Sequence, residues 1–244
     1  MTALLDVTGL TKRYGQLAAL HEVSFTVQSG EIVGLIGPNG AGKTTLIGIL
    51  SGAIRATAGS TSYCGHSILG LPSYRIGALG IIRTFQLVQP FWHLTVCECI
   101  MLGALFGSDG SRSGSVRAAR ERALALLQMV GLQDKANVQA ELLNIPERKK
   151  LEIARVIAAR PKLLLLDEVM AGLSASEIGE IVTVLQRLRA DGVSIIVIEH
   201  VMHAIRGLAD RVIVLHHGEK IADGPIDGVF AQDNVIKNYM GTAP

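Results

Sequence analysis

Apolar and polar residues change rhythm along the chain, and each rhythm predicts an element. Around Leu4–Val7 and Val23–Val27 they alternate, the period of half-buried strands, and Gln28-Ser29-Gly30 reads as the turn that follows the second. Glu31-Ile32-Val33-Gly34-Leu35-Ile36 is a short apolar run feeding a glycine-rich loop, after which Thr44 to Leu50 has the composition of a helix. Helical patterns dominate from Phe91 to about Arg160, interrupted by the polar stretch from Gly107 to Ser115, which is expected to be a surface loop. Leu163–Leu166 and Val193–Ile198 are continuous apolar runs flanking a helical stretch from Ala175 to Ala190, the pattern of buried parallel strands joined by a crossover helix. Arg211–Leu215 adds a further strand.

Composition narrows the classes. A formal net charge of +2 with charges spread along the chain gives no basic stripe, so nucleic acid is not an expected partner. No apolar run approaches the roughly 18 residues of a membrane span, and the start lacks a basic leader segment, so a cytoplasmic location is expected. Mean hydropathy is nevertheless +0.38, high enough to suggest a surface covered by another protein. The three cysteines, Cys64, Cys97 and Cys99, lack metal-ligand spacing and are expected to be small core residues.

Two motifs carry chemistry. Gly37-Pro38-Asn39-Gly40-Ala41-Gly42-Lys43-Thr44, continued by Thr45, has the form of a phosphate-binding loop between a strand and a helix. Its glycines let backbone N–H groups wrap phosphates, Lys43 reaches the β/γ oxygens, and Thr44 is a ligand for Mg²⁺. Leu163-Leu164-Leu165-Leu166-Asp167-Glu168 is a buried strand tipped by two carboxylates, one (Asp167) suited to the Mg²⁺ shell and one (Glu168) to polarising a water. Together they predict a P-loop nucleotidase that takes ATP or GTP with Mg²⁺, with Lys43 and Glu168 in catalysis.

Arg83-Thr84-Phe85-Gln86 and Ile198-Glu199-His200 resemble the Q-loop and switch histidine of the ABC ATPases, and the likeness spans essentially the whole chain. It implies an α/β P-loop core with a mostly parallel sheet and an antiparallel β subdomain from about 1–90 and 161–244, and a helical subdomain from about 91–160, in one domain over 1–244. It also implies that Tyr14 stacks on adenine, that Gln86 binds nucleotide and metal, and that His200 contacts the γ-phosphate. The segments Arg83 to Phe91, Leu94-Thr95-Val96, Ile198 to Met202 and Val235 to Gly241 look like the branched-chain amino-acid importer ATPases.

The chain departs from that family at Leu143-Asn144-Ile145-Pro146-Glu147, where an LSGGQ signature usually stands. Ile145 brings bulk where glycine permits close approach and Pro146 has no N–H, although the helix that follows is still expected to aim its N-terminus at phosphate. Ser174 stands in place of the usual aspartate and Val169 in place of proline. The run Arg148-Lys149-Lys150 is expected to be a solvated face, and Leu94–Phe106 either a groove for a membrane subunit or ordinary core.

The resemblance therefore implies an ATP-hydrolysing importer subunit for branched-chain or other hydrophobic amino acids or similar small solutes. It would sit peripherally on the inner face of a bacterial cell membrane. Its partners would be a second ATPase subunit, two membrane permease subunits and a periplasmic binding protein. The alternatives are a lipopolysaccharide-export ATPase and a degenerate regulatory subunit completed by a partner cassette.

Overall fold

The structure is a computed structural model that describes residues 3–84, 91, 93–107, 115–232 and 235. It opens on two long antiparallel strands, β1 (Leu5–Tyr14) and β2 (Leu17–Val27), paired from Leu5↔Val27 to Tyr14↔Leu17. Both exceed the stretches that alternate in the sequence. The alternation fails because the register shifts between Val7 and Leu10 and again beyond it, so irregular pairing carries the polar Thr11-Lys12-Arg13 into the ladder.

Next come β3 (Ile32–Ile36), α1 (Lys43–Leu50), β4 (Ala58–Tyr63), β5 (His66–Ser67), α2 (Ser73–Ala78) and β6 (Ile81–Arg83). The helices α3 (Val96–Leu105), α4 (Val116–Met129) and α5 (Ile145–Ala158) follow. The chain returns through β7 (Leu163–Asp167), α6 (Ala175–Ala190), β8 (Ser194–Ile198), α7 (Met202–Leu208), β9 (Arg211–His216), β10 (Glu219–Gly224) and α8 (Ile226–Phe230).

Two sheets result, one ordered β2-β1-β4-β5 and the other β10-β9-β3-β8-β7-β6. The first is antiparallel, and the second is parallel except for its β9–β10 hairpin. Every residue of β3, β7 and β8 is buried, which is why these strands read as unbroken apolar runs rather than alternations. Arg211 clasps the sheets together: its guanidinium bonds Glu31 at 2.6 Å, the Asp223 carboxylate and the Thr26 carbonyl of β2.

Between β6 and β7 the helices α3, α4 and α5 share one apolar cluster with the parallel sheet. Cys97 and Cys99 lie in it, and burial pushes both thiols up from their usual range, as expected of core cysteines. Cys64 differs: it is exposed, at φ 49°, in the turn between β4 and β5. The expected core position is therefore not taken by this thiol. Among the described residues no helix is long and apolar enough to cross a membrane, and no His/Cys/Asp/Glu group has metal-site spacing.

Parallel strands open their ligand crevice at their carboxyl ends. Here the loops leaving β3, β7 and β8 carry residues 37–42, 168–174 and 199–201, so the chemistry-bearing residues converge from three separate stretches of sequence.

Candidate active site

The loop after β3 wraps into α1 through backbone conformations that only glycine takes without strain. Gly37 has φ 148° and Gly42 φ 102°, and a Cβ would meet the Leu215 carbonyl oxygen at 2.1 Å in the first case and that of Ala19 at 2.5 Å in the second. The Lys43 ammonium folds back onto the loop, donating to the Gly37 carbonyl at 2.7 Å and the Pro38 carbonyl at 3.0 Å. Burial lowers the Lys43 pKa, and the carboxylates of Glu168 and Asp167 pull it back up. The resulting cleft, about 280 Å³, is lined by residues 39–45 together with Ala19 and Glu168. Asn39, Gly40, Ala41, Gly42, Lys43, Thr44 and Thr45 are thus brought together, with Gly37 at the loop's root.

Asp167 ends β7 with its carboxyl shut away from water. One oxygen, Oδ2, accepts from Arg83 Nη2 at 2.9 Å, and the other, Oδ1, is buried without a partner. Its own N–H donates to the Thr84 hydroxyl at 3.1 Å. Glu168 follows in the left-handed region, at φ 53°, a conformation that costs a non-glycine residue of order 1 kcal/mol or more. The Glu168 N–H holds the Ile198 carbonyl at 3.0 Å, and Oε1 lies 3.0 Å from His200 Nε2. Glu168, which lines the cleft, and His200 therefore meet from the ends of neighbouring strands.

His200 does not cap a helix, since α7 begins after Val201 and takes no side-chain cap. Tyr14 stands at the end of β1, 50% exposed, with Lys12 Nζ 4.6 Å over its ring. It is half-free to stack but does not line the cleft. Gln86 lies outside the described residues.

The variant signature forms the start of α5. Asn144 caps it: Oδ1 accepts the Glu147 N–H at 3.0 Å while Glu147 Oε2 accepts the Asn144 N–H at 3.1 Å, and Lys135 holds the other Glu147 oxygen. With Pro146 lacking an N–H and the Arg148 N–H bonded to the Asn144 carbonyl, the first turn keeps few donors for a phosphate. Ile145 and Leu142 project outward beside it, 65% and 68% exposed.

The basic trio of α5 is not a solvated face either. Arg148 donates to the carbonyls of Leu143 and Glu141, both at 2.8 Å, Lys149 donates to the Glu168 carbonyl at 3.2 Å, and Lys150 pairs with Glu180. Ser174 caps α6 by accepting the Glu177 N–H, so the hydroxyl in the aspartate's usual place has a local job. On α3 the residues Val96, Cys97, Cys99 and Ile100 are core, while Phe91 and Phe106 are exposed nearby.

Sequence reasoning missed three contacts of this site. Arg83 as the partner of Asp167 and Lys149 as the tether of Glu168 join positions far apart in the chain, and no local pattern announces them. Glu199 left a faint trace: a charge directly after the apolar Ser194–Ile198 run, whose carboxyl is buried and bonded to the Met170 N–H at 2.7 Å.

The profile of the family described as ABC transporter matches residues 20–171. The high-affinity branched-chain amino acid transport ATP-binding protein BraF of Pseudomonas aeruginosa is 36% identical over 252 residues, covering 98% of both chains. LivG of Salmonella typhimurium, of the same description, is 37% identical over 251 residues with 98% of both covered. Among solved structures, the ADP conformation of MJ1267, an ATP-binding cassette of an ABC transporter, superposes with TM-score 0.87 at 27% identity, covering 99% of this chain and 100% of that one. A dimeric post-hydrolysis state of the cassette MJ0796 bound to ADP and Pi gives TM-score 0.81 at 26% identity, over 91% of this chain and 98% of that one.

Proposed function

Since the chain belongs to the ABC transporter family of ATP-binding cassettes, we propose that it is the ATP-hydrolysing subunit of an importer for branched-chain amino acids or similar small solutes. The near full-length likeness to BraF and LivG supports that solute class over lipopolysaccharide export. The observation that carries the chemistry is that Glu168, which lines the phosphate cleft, meets His200 3.0 Å away.

In this reading the amides of residues 37–45 and the Lys43 ammonium hold the ATP phosphates, and Tyr14 stacks on the adenine. Glu168 accepts a hydrogen bond from the attacking water and orients it in line with the γ-phosphate. His200 steadies the Glu168 carboxylate and meets the γ-phosphate as the cleft closes. Mg²⁺ would be held by Thr44, Asp167 and Gln86, and the donor set fits it, because the partnerless Oδ1 of Asp167 is a buried oxygen in want of a cation. When bound, the ion neutralises charge on the phosphate oxygens.

The partners are a second ATPase subunit, two membrane permeases and a periplasmic binding protein, with the chain held at the inner face of the cell membrane through the permeases. The capped start of α5 favours an asymmetric pair. ATP on this chain's phosphate loop meets the partner's signature, whereas the partner's ATP faces Leu143–Glu147, where donors are few.

MgATP hydrolysis by the wild type, Glu168→Gln and Lys43→Ala, with nucleotide binding measured separately, tests the reading. Turnover that disappears in Glu168→Gln while binding survives, and binding that disappears in Lys43→Ala, are the expected results. Undiminished turnover in Glu168→Gln would overturn the assignment.

A further inference from the structure

The hydrolysis scheme above leaves Glu199 without a task. It directly follows β8, is 1% exposed, and a carboxyl so placed must find donors or give up its charge. It finds one on the loop after β7, while its own backbone belongs to the loop after β8. Oε1 accepts the Met170 N–H at 2.7 Å, and the neighbouring His200 amide lowers the carboxyl's pKa. Met170 stands two residues beyond Glu168, and His200 directly follows Glu199. One carboxyl thus spans the two loops whose side chains meet across the 3.0 Å between Glu168 Oε1 and His200 Nε2.

We propose that Glu199 is a positioning residue for the hydrolysis assigned above: its carboxylate clamps the Met170 and His200 backbones together and so sets the approach of Glu168 to His200. The proposal rests on that assignment. A space-filling role alone would be met at lower cost by an apolar side chain of similar size, because burying a carboxylate is unfavourable unless its bonds are needed. The left-handed φ of 53° at Glu168 also calls for an outside restraint on this loop.

The clamp depends on charge. Burial pushes the Glu199 carboxyl up to about 7, the Met170 and His200 amides pull it down, Glu168 pushes it up, and Lys149 of α5 pulls it down. Ionised, both oxygens accept. Protonated, one oxygen becomes a donor and an amide loses its partner. Alignment therefore loosens as the pH falls through about 7.

The test compares the intact wild type with Glu199→Gln and Glu199→Met for MgATP turnover, nucleotide binding and melting temperature at several pH values on either side of neutrality. Nucleotide affinity is expected to stay within about twofold while kcat falls about tenfold in both variants at unchanged KM. The wild type's decline on the acid side of neutrality is expected to vanish in both. Wild-type kcat together with an intact acid decline in either folded variant would overturn the proposal, and Glu199→Met keeps the test open should Glu199→Gln fail to fold. A wild type without turnover counts against the assigned hydrolysis and not against the clamp. In that event the His200 imidazole resonance decides, shifting in Glu199→Gln if the clamp holds the ring and staying put if it does not.

Discussion

Arg83 Nη2 donates to Asp167 Oδ2 across 2.9 Å, with side-chain exposures of 12% and 0%. The pair is long-range, joining the ends of β6 and β7, and it is the only cation bonded to the Asp167 carboxylate among the described contacts. Removing one member of a buried pair strands the other, at a cost of about 3–5 kcal/mol. Arg83→Met is therefore expected to lower stability by that amount in urea unfolding.

Arg211 joins β9 to Glu31, to Asp223 of β10 and to Thr26 of β2 through one planar fork. Burial works against its charge, yet the bonds to Glu31 and Asp223 raise its pKa. Lysine keeps the charge and loses the fork, so Arg211→Lys is expected to cost about 3 kcal/mol, read as a lower melting temperature.

The Asn144 cap of α5 sets stability against phosphate contact. Asn144→Ala is expected to cost about 1 kcal/mol of stability. The double variant Ile145→Gly with Pro146→Gly removes bulk and returns an N–H at a helix cost of about 1–2 kcal/mol. Its MgATP turnover is expected to rise by roughly tenfold in the dimer, the worth of one hydrogen bond to a charged phosphate. Unchanged turnover would show that the missing donor is immaterial.

Glu199 makes stability depend on pH with a definite sign. Its folded pKa, about 7, is raised from 4.5, so the proton-linked stability is fully present below about 4.5 and lost as the pH rises to about 7. The shift corresponds to on the order of 3 kcal/mol. Subtracting the stability curve of Glu199→Gln from that of the wild type is expected to leave this fall between pH 5 and 7, measured by denaturant unfolding.

The phosphate loop was legible in the sequence because its chemistry is contiguous: glycines, Lys43 and Thr44 act through neighbouring backbone. The buried strands β7 and β8 were legible for the same reason, since a fully buried parallel strand is apolar at every position. Strands β1 and β2 were only half visible, because register shifts break the alternation that betrays a strand. His200 was found by its order in the chain, but its contact with Glu168 belongs to the pairing of β7 with β8. Lys149 was misread as solvated because charge alone does not tell which side of a helix turns inward.

The Lys149 tether has a mechanical consequence. Asn144 and Lys149 are five residues apart, about 7.5 Å of rise at 1.5 Å per residue, so the face that would greet a neighbouring cassette and the carbonyl of Glu168 hang from one stiff rod. Pressure on the outer end of α5 would reach the backbone of Glu168 without crossing a loop. Each half of an asymmetric pair would then feel, within itself, whether the other half is seated.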